Sequence, residues 1–163
     1  LSPDPESGEN YFGTSGEFYF GIDISIMTHL DTATAFFDAC ETGKGWEVCQ
    51  GWCTADATFD CQADALADTT TLAAYCEWMK GLLTPIPDGR YVLTGFAMDE
   101  ARGTAVATAE FHGTQTGPGG PVAPTGKAVI SDYAYVMKFA DGKITHMTKI
   151  WNDAQALRAL GWA

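Results

Sequence analysis

One dipeptide, Asp141-Gly142, stands between two long runs rich in β-branched and aromatic residues. A two-residue hairpin turn of this kind needs positive φ at both central positions, which Gly adopts freely and Asp tolerates. The pair therefore folds the chain back on itself and joins two strands, Ala128 to Ala140 and Lys143 to Trp151. With no extra residue in either strand, the pairing is mirror-symmetric about the turn. Phe139 then opposes Ile144, Met137 opposes His146, Tyr135 opposes Thr148 and Tyr133 opposes Ile150. Paired residues share a face, because side chains alternate along a strand. This face carries large apolar residues and no lysine, so it is expected to turn inward. The opposite face holds Val136, Lys138, Met147, Lys149 and Trp151. A bulge would slip the register by one and reverse the assignment.

Two further strands are expected at Arg90 to Asp99 and Ala105 to Gln115. On the second, Ala105, Ala107, Ala109, Phe111 and Gln115 alternate onto an apolar face, with Val106, Thr108, Glu110 and His112 opposite. This places His112 outward and Gln115 at a pocket rim. The Gly- and Pro-rich segment 116–124 reads as a rim loop, without the strand and helix context of a phosphate loop.

Helical periodicity dominates before the strands. A first helix runs from about Thr28 to Thr42, with Thr28 and Asp31 at capping-box spacing, an apolar face of Leu30, Ala33, Phe37 and Cys40, and Gly43 as the stop. A short second helix holds Trp46, Cys49 and Trp52. A short strand from Thr58 to Gln62 points Phe59 and Cys61 inward. A third helix begins near Thr70, lines up Leu72, Tyr75, Cys76, Met79 and Leu83, and ends at Pro85 and Pro87. After the hairpin, a short helix with Ala156, Leu157, Ala159 and Leu160 closes on Gly161. Helices first and a strand meander after predict an α+β fold: three N-terminal helices packed on a curved, mainly antiparallel mixed sheet. Small alanines on its inner face leave room for a ligand pocket, unless Trp46, Trp52 or Phe37 fills it.

One domain is expected over residues 25–163. Residues 1–24 differ, with a near repeat of Ser7-Gly8-Glu9-Asn10-Tyr11-Phe12-Gly13 in Ser15-Gly16-Glu17-Phe18-Tyr19-Phe20-Gly21. They read as a loose arm or a segment added for expression, or as an aromatic arm on a neighbouring subunit. The formal net charge of -12 argues against DNA, RNA and anionic membrane surfaces, which need clustered Lys and Arg. No apolar run approaches the ~20 residues of a membrane span. The five cysteines, at 40, 49, 53, 61 and 76, are odd in number and complete no zinc pattern. They are expected as free thiols in a reducing compartment, the cytoplasm, with no metal and no cofactor.

Several short motifs recur in the order known for one family: Ala55-Asp56-Ala57-Thr58-Phe59, Gly113-Thr114-Gln115-Thr116-Gly117, Pro124-Thr125-Gly126-Lys127, Asp141-Gly142-Lys143-Ile144 and Leu157-Arg158-Ala159-Leu160-Gly161. Over about residues 28–163 the chain resembles the SnoaL-like polyketide cyclase group of the nuclear-transport-factor-like, cystatin-like α+β barrel superfamily. The resemblance implies a deep conical pocket under the helices and a homodimer built on the outer sheet face, where Val136, Met147 and Trp151 are expected. It also implies a general acid/base aspartate on the penultimate strand, six residues before the Asp-Gly turn; this chain has Tyr135 there. Gln115 stands where the family often has histidine, and Thr148 where it has tryptophan. Cys61 stands where the related ketosteroid isomerases place a base.

Three functional readings follow. In the first, an enzyme abstracts a proton next to a carbonyl of a small apolar compound, which needs a base and a donor for the enolate oxygen. His146 is then the base, Tyr135 the donor and Cys61 an alternative base or nucleophile. Gln115, Tyr133, Met137, Thr148, Phe111, Phe37, Trp52 and Met79 would contact the ligand. In the second, the same pocket binds an apolar metabolite without turnover. In the third, the outer face docks a different protein. His146 as a core histidine, and Tyr133 and Tyr135 as plain cross-strand packing, remain open beside the first reading.

Overall fold

The computed structural model describes residues 27–163, so the expected N-terminal arm lies outside the described residues. Helix α1 (His29–Glu41) starts at a complete capping box: the Thr28 hydroxyl accepts from Asp31 N, and the Asp31 carboxylate accepts from Thr28 N. Its buried stripe contains Ala33, Phe36, Phe37, Cys40 and Glu41, while Leu30 is left exposed. The short α2 (Trp46–Cys49) runs into a 3-10 turn at Gln50–Trp52. Strand β1 (Cys53–Cys61) leads to α3 (Leu72–Leu82), which is capped by Thr71 and buries Leu72, Tyr75, Cys76 and Met79.

Strands β2 (Arg90–Asp99), β3 (Thr104–Thr114), β4 (Ala128–Ala140) and β5 (Lys143–Trp151) then form the meander. The sheet order is β1-β5-β4-β3-β2, with β1 parallel to β5 and every other pair antiparallel. A fourth helix, α4 (Asp153–Leu160), packs back on β4. It stops at Gly161, whose φ of 76° lets Trp162 N reach back to Leu157 O at 2.8 Å. The architecture is the expected α+β one, with three helices before the β2–β5 meander, β1 inserted between α2 and α3, and one helix after the meander. All five cysteines are buried free thiols. Among the described residues, no helix is long and apolar enough to cross a membrane.

The register of the hairpin differs from the mirror-symmetric expectation. Asp141 and Gly142 do adopt positive φ, 50° and 76°, and Phe139 does oppose Ile144. The next pair is Lys138 with His146, so Thr145 is an extra residue, a β-bulge. Beyond it the faces of β5 exchange. Met137 opposes Met147, Tyr135 opposes Lys149 and Tyr133 opposes Trp151. Met147 and Lys149 are buried, and Ile150 is 61% exposed. His146 and Thr148, expected inside, lie on the outer face. Met147 and Trp151, expected outside, turn inward. The β4 assignment stands, because the bulge is in β5: Tyr133, Tyr135 and Met137 are all buried.

The core lies between the inner sheet face and helices α1 and α3. Ala105, Ala107 and Ala109 of β3 are buried, as their alternation predicts. Phe37 wedges among rings, edge-on to Tyr91 at 5.1 Å and to Tyr135 at 5.2 Å. Aromatic rings thus occupy much of the room the alanines leave.

Candidate functional site

The buried β4–β5 face brings Tyr133, Tyr135 and Lys149 under the last residue of α1, Glu41, and under Tyr75 of α3. Glu41 is 2% exposed and Lys149 6% exposed, the two ionisable side chains among the few buried polar groups of a mainly apolar and aromatic interior. Tyr133 Oη donates to Glu41 Oε2 at 2.6 Å, and Tyr135 Oη donates to Glu41 Oε1. The Tyr75 and Tyr135 hydroxyls are hydrogen-bonded, and Lys149 Nζ donates to Tyr75 Oη at 2.9 Å. Each hydroxyl has a single proton to give. Tyr135 spends its proton on Glu41, so Tyr75 donates to Tyr135 and Lys149 donates to Tyr75. A directed chain, Lys149 to Tyr75 to Tyr135 to Glu41, joins an amine to a carboxyl group.

Burial holds the Glu41 carboxyl above its ordinary value; Lys149 and the two tyrosine hydroxyls oppose this without overcoming it. Its place at the C-terminus of α1, the negative end of the helix dipole, works in the same direction. Burial likewise pushes the Lys149 amine below its ordinary value, against the attraction of Glu41. Desolvation also raises Tyr75, Tyr133 and Tyr135, which keeps them protonated. Both ends of the chain are thus biased toward their neutral forms. Five rings surround Lys149 Nζ, with centroids from 4.7 Å (Trp151) to 5.8 Å (Tyr135).

This cluster borders a small cavity of about 40 Å³. Glu41, Tyr133 and Lys149 contribute polar groups to its lining. Its walls are apolar, from Trp78, Met79 and Leu82 of α3, Phe111 of β3, Trp151 of β5 and Leu157 and Leu160 of α4. Ser131 also lines it, and its oxygen accepts from Trp151 Nε1 at 2.9 Å. The hydroxyl proton of Ser131 has no other acceptor among the described residues. The arrangement offers an acid or base, an amine and a hydroxyl donor around one small apolar space.

The profile of the SnoaL-like domain matches residues 33–147. The chain belongs to the SnoaL-like family. Solved structures agree on the fold. A SnoaL-like polyketide cyclase, so described, from Jannaschia sp. CCS1 aligns with a TM-score of 0.67 at 20% identity, over 83% of this chain and 92% of that one. IdmH of Streptomyces antibioticus, described as a polyketide cyclase, aligns at 0.66 and 17% identity, over 82% of this chain and 99% of IdmH. A Catenulispora acidiphila protein with a ketosteroid isomerase-like fold, solved with trimethylamine, aligns at 0.61 and 17% identity, over 83% and 96% of the two chains. No curated protein matches the sequence.

In this SnoaL-like frame the sequence-predicted residues scatter. Tyr133, Phe111 and Met79 line the cavity. Tyr135, expected at the family's aspartate position, is not in the lining but reaches Glu41. Cys61 is buried and pairs with Lys149 in the parallel β1–β5 ladder. Met137 and Phe37 are core, and Trp52 packs on the core's edge. Gln115 is buried outside the cavity lining, where its side-chain oxygen accepts from Thr125 N and closes the rim loop. His146 cannot serve as a base in the cavity. It is held on the outer face between Thr58 Oγ1 at 2.7 Å and Thr148 Oγ1 at 3.0 Å.

The sequence reading missed Glu41, Tyr75, Lys149 and Ser131 as site residues. A signal existed for the first: Ala33, Phe37 and Glu41 recur every four residues, so an acid continues the apolar stripe of α1. Lys149 was hidden by the bulge, since an unbroken register puts it outside.

Proposed function

We propose that this protein is a cofactor-independent enzyme of cyclase or isomerase type, performing acid/base chemistry next to the carbonyl of a slim apolar substrate. The observation that carries the reading is the Glu41 carboxyl group in the lining of a largely apolar cavity, joined through tyrosines to a buried amine. A carboxyl raised by burial is suited to take a proton from the carbon next to a carbonyl near neutral pH. Lys149 and the free hydroxyl proton of Ser131 are placed to bond the oxygen on which enolate charge develops. Exclusion of water would strengthen both effects. The fold family and its cyclase neighbours support a small-molecule role in the coarser sense. His146 has no part in this mechanism, and Tyr135 acts through Glu41 as a positioning residue.

Proton abstraction can be read directly as exchange of α-protons in D2O, followed by NMR on butanone and cyclopentanone. The wild type should exchange them faster than buffer alone, and Glu41→Gln should lose on the order of 10²-fold or more. Binding without exchange in the wild type would favour the second reading, a carrier of apolar metabolites. The resemblance, which puts Tyr135 where family cyclases carry an aspartate, stands on that side.

A further inference from the structure

We propose that Lys149 is a covalent site, at which its amine forms an iminium with the carbonyl carbon of a short, unbranched apolar aldehyde or ketone. This rests on the reading of the cavity as a carbonyl site and deepens it. Three features of the site point to it. Among the described residues Lys149 joins no ion pair, and its one hydrogen bond is to Tyr75 Oη at 2.9 Å. An ammonium has three protons to place, so in a buried site one acceptor leaves it poorly satisfied. A neutral amine keeps a lone pair, which is what attack on a carbonyl requires. Burial favours that form.

The surroundings also fit the product. Ring faces at 4.7 to 5.8 Å attract a cation without needing N–H donors in return. They suit an iminium, whose nitrogen has exchanged protons for carbon. The small cavity of about 40 Å³ lined by Lys149 admits a short carbonyl compound better than a bulky or branched one.

The tyrosine chain supplies the proton balance. The nitrogen lone pair forms the C–N bond, and the carbonyl π pair moves to oxygen. That oxygen takes the proton shed by nitrogen, relayed by the Tyr75 hydroxyl. With Tyr75 now donating to the substrate oxygen, the Tyr135 hydroxyl turns to donate to Tyr75 and to accept from Glu41, and along this reversed chain a second proton passes from the Glu41 carboxyl to the new hydroxyl, which leaves as water as nitrogen closes the C=N bond. Amine, carbonyl compound and Glu41 acid become iminium, water and Glu41 carboxylate. The site stays neutral overall, and the carboxylate formed is the base needed for the adjacent carbon–hydrogen bond.

The test uses the full chain, butanal and sodium cyanoborohydride, which reduces the iminium to a stable secondary amine. It is run well below pH 10.5, the ordinary lysine value, and the modified peptides are mapped by mass spectrometry. Lys149 should be alkylated about tenfold or more faster than any other lysine, although it is the most buried cation. Tyr75→Phe, which keeps the amine and cuts the relay, should slow trapping at Lys149 by a similar factor and leave surface lysines unaffected. Alkylation confined to Lys44, Lys80, Lys127, Lys138 and Lys143 would overturn the proposal. Trapping at Lys149 without α-proton exchange would keep the covalent site and remove the turnover reading. Exchange without trapping would do the reverse.

Discussion

Glu41 is a carboxylic acid that is buried and ends a helix, and both of these placements oppose its ionisation. Lys149 carries the mirror-image conflict on β5. Neither residue would survive alone in a packed interior, because an unpartnered buried charge is costly. Their connection through Tyr75 and Tyr135 makes each the other's compensation. A double-mutant cycle with Glu41→Gln and Lys149→Met should therefore show coupling of about 1–3 kcal/mol, the double variant lying closer to the wild type than the singles predict. The pH dependence has opposite signs at the two ends. The raised carboxyl contributes stability that is fully present below 4.5 and is lost as pH rises through its folded value. The depressed amine contributes stability present above 10.5 and lost as pH falls through its folded value. Thermal melts should show the wild type losing ground to Glu41→Gln as pH is raised from 4.5, and to Lys149→Met as pH is lowered from 10.5. Parallel melting curves across pH would contradict this.

At the scale of the element, one extra residue decides which side chains of β5 meet the helices. Ile144 and Met147 are both buried although three apart in sequence, which only the Thr145 bulge permits. Deleting Thr145 should leave a regular ladder with Ile144, Met147, Lys149 and Trp151 still inward. That variant should fold, with the emission of a half-buried Trp151 unchanged. Deleting Thr148 instead throws Lys149 and Trp151 outward, and should abolish the cavity and the cooperative melt. Equal tolerance of both deletions would refute the register argument. The two cases show what was legible in the sequence. Element order, the Thr28 cap, the Asp141-Gly142 turn and the inner faces of β3 and β4 follow from local chemistry and alternation. The bulge does not, because Thr145 differs little from any other β-branched strand residue and its displacement is a property of the assembled sheet. The missing lysine on one hairpin face was a reasonable sign of an inner face, yet burial of Lys149 is what the site uses. The base, amine and tyrosines of the candidate site come from α1, α3, β4 and β5, so their meeting is a tertiary fact that no sequence spacing encodes.

The whole molecule presents two differently covered sheet faces. Helices and inner sheet face enclose the cavity, and the outer sheet face exposes Ile130 at 59% and Ile150 at 61%, with the half-buried Val136 on the same face. We propose that a second copy of this chain covers that face, as the family resemblance implies, with Ile130 and Ile150 in place of the expected Met147 and Trp151. Sedimentation at micromolar concentration should give a dimer, and Ile130→Lys with Ile150→Lys should give a folded monomer; a monomeric wild type would contradict it. Assembly leaves the cavity on the opposite side of the sheet, so the chemistry stands or falls on the protonation of two residues. That can be observed by heteronuclear NMR of the Lys149 side-chain amine and the Glu41 carboxyl carbon through a pH titration. A Lys149 midpoint well below 10.5 together with a Glu41 midpoint above 4.5 is the predicted result. A Lys149 midpoint at or above 10.5, with Glu41 at or below 4.5, would mean a fixed ion pair and would contradict a site built to move a proton.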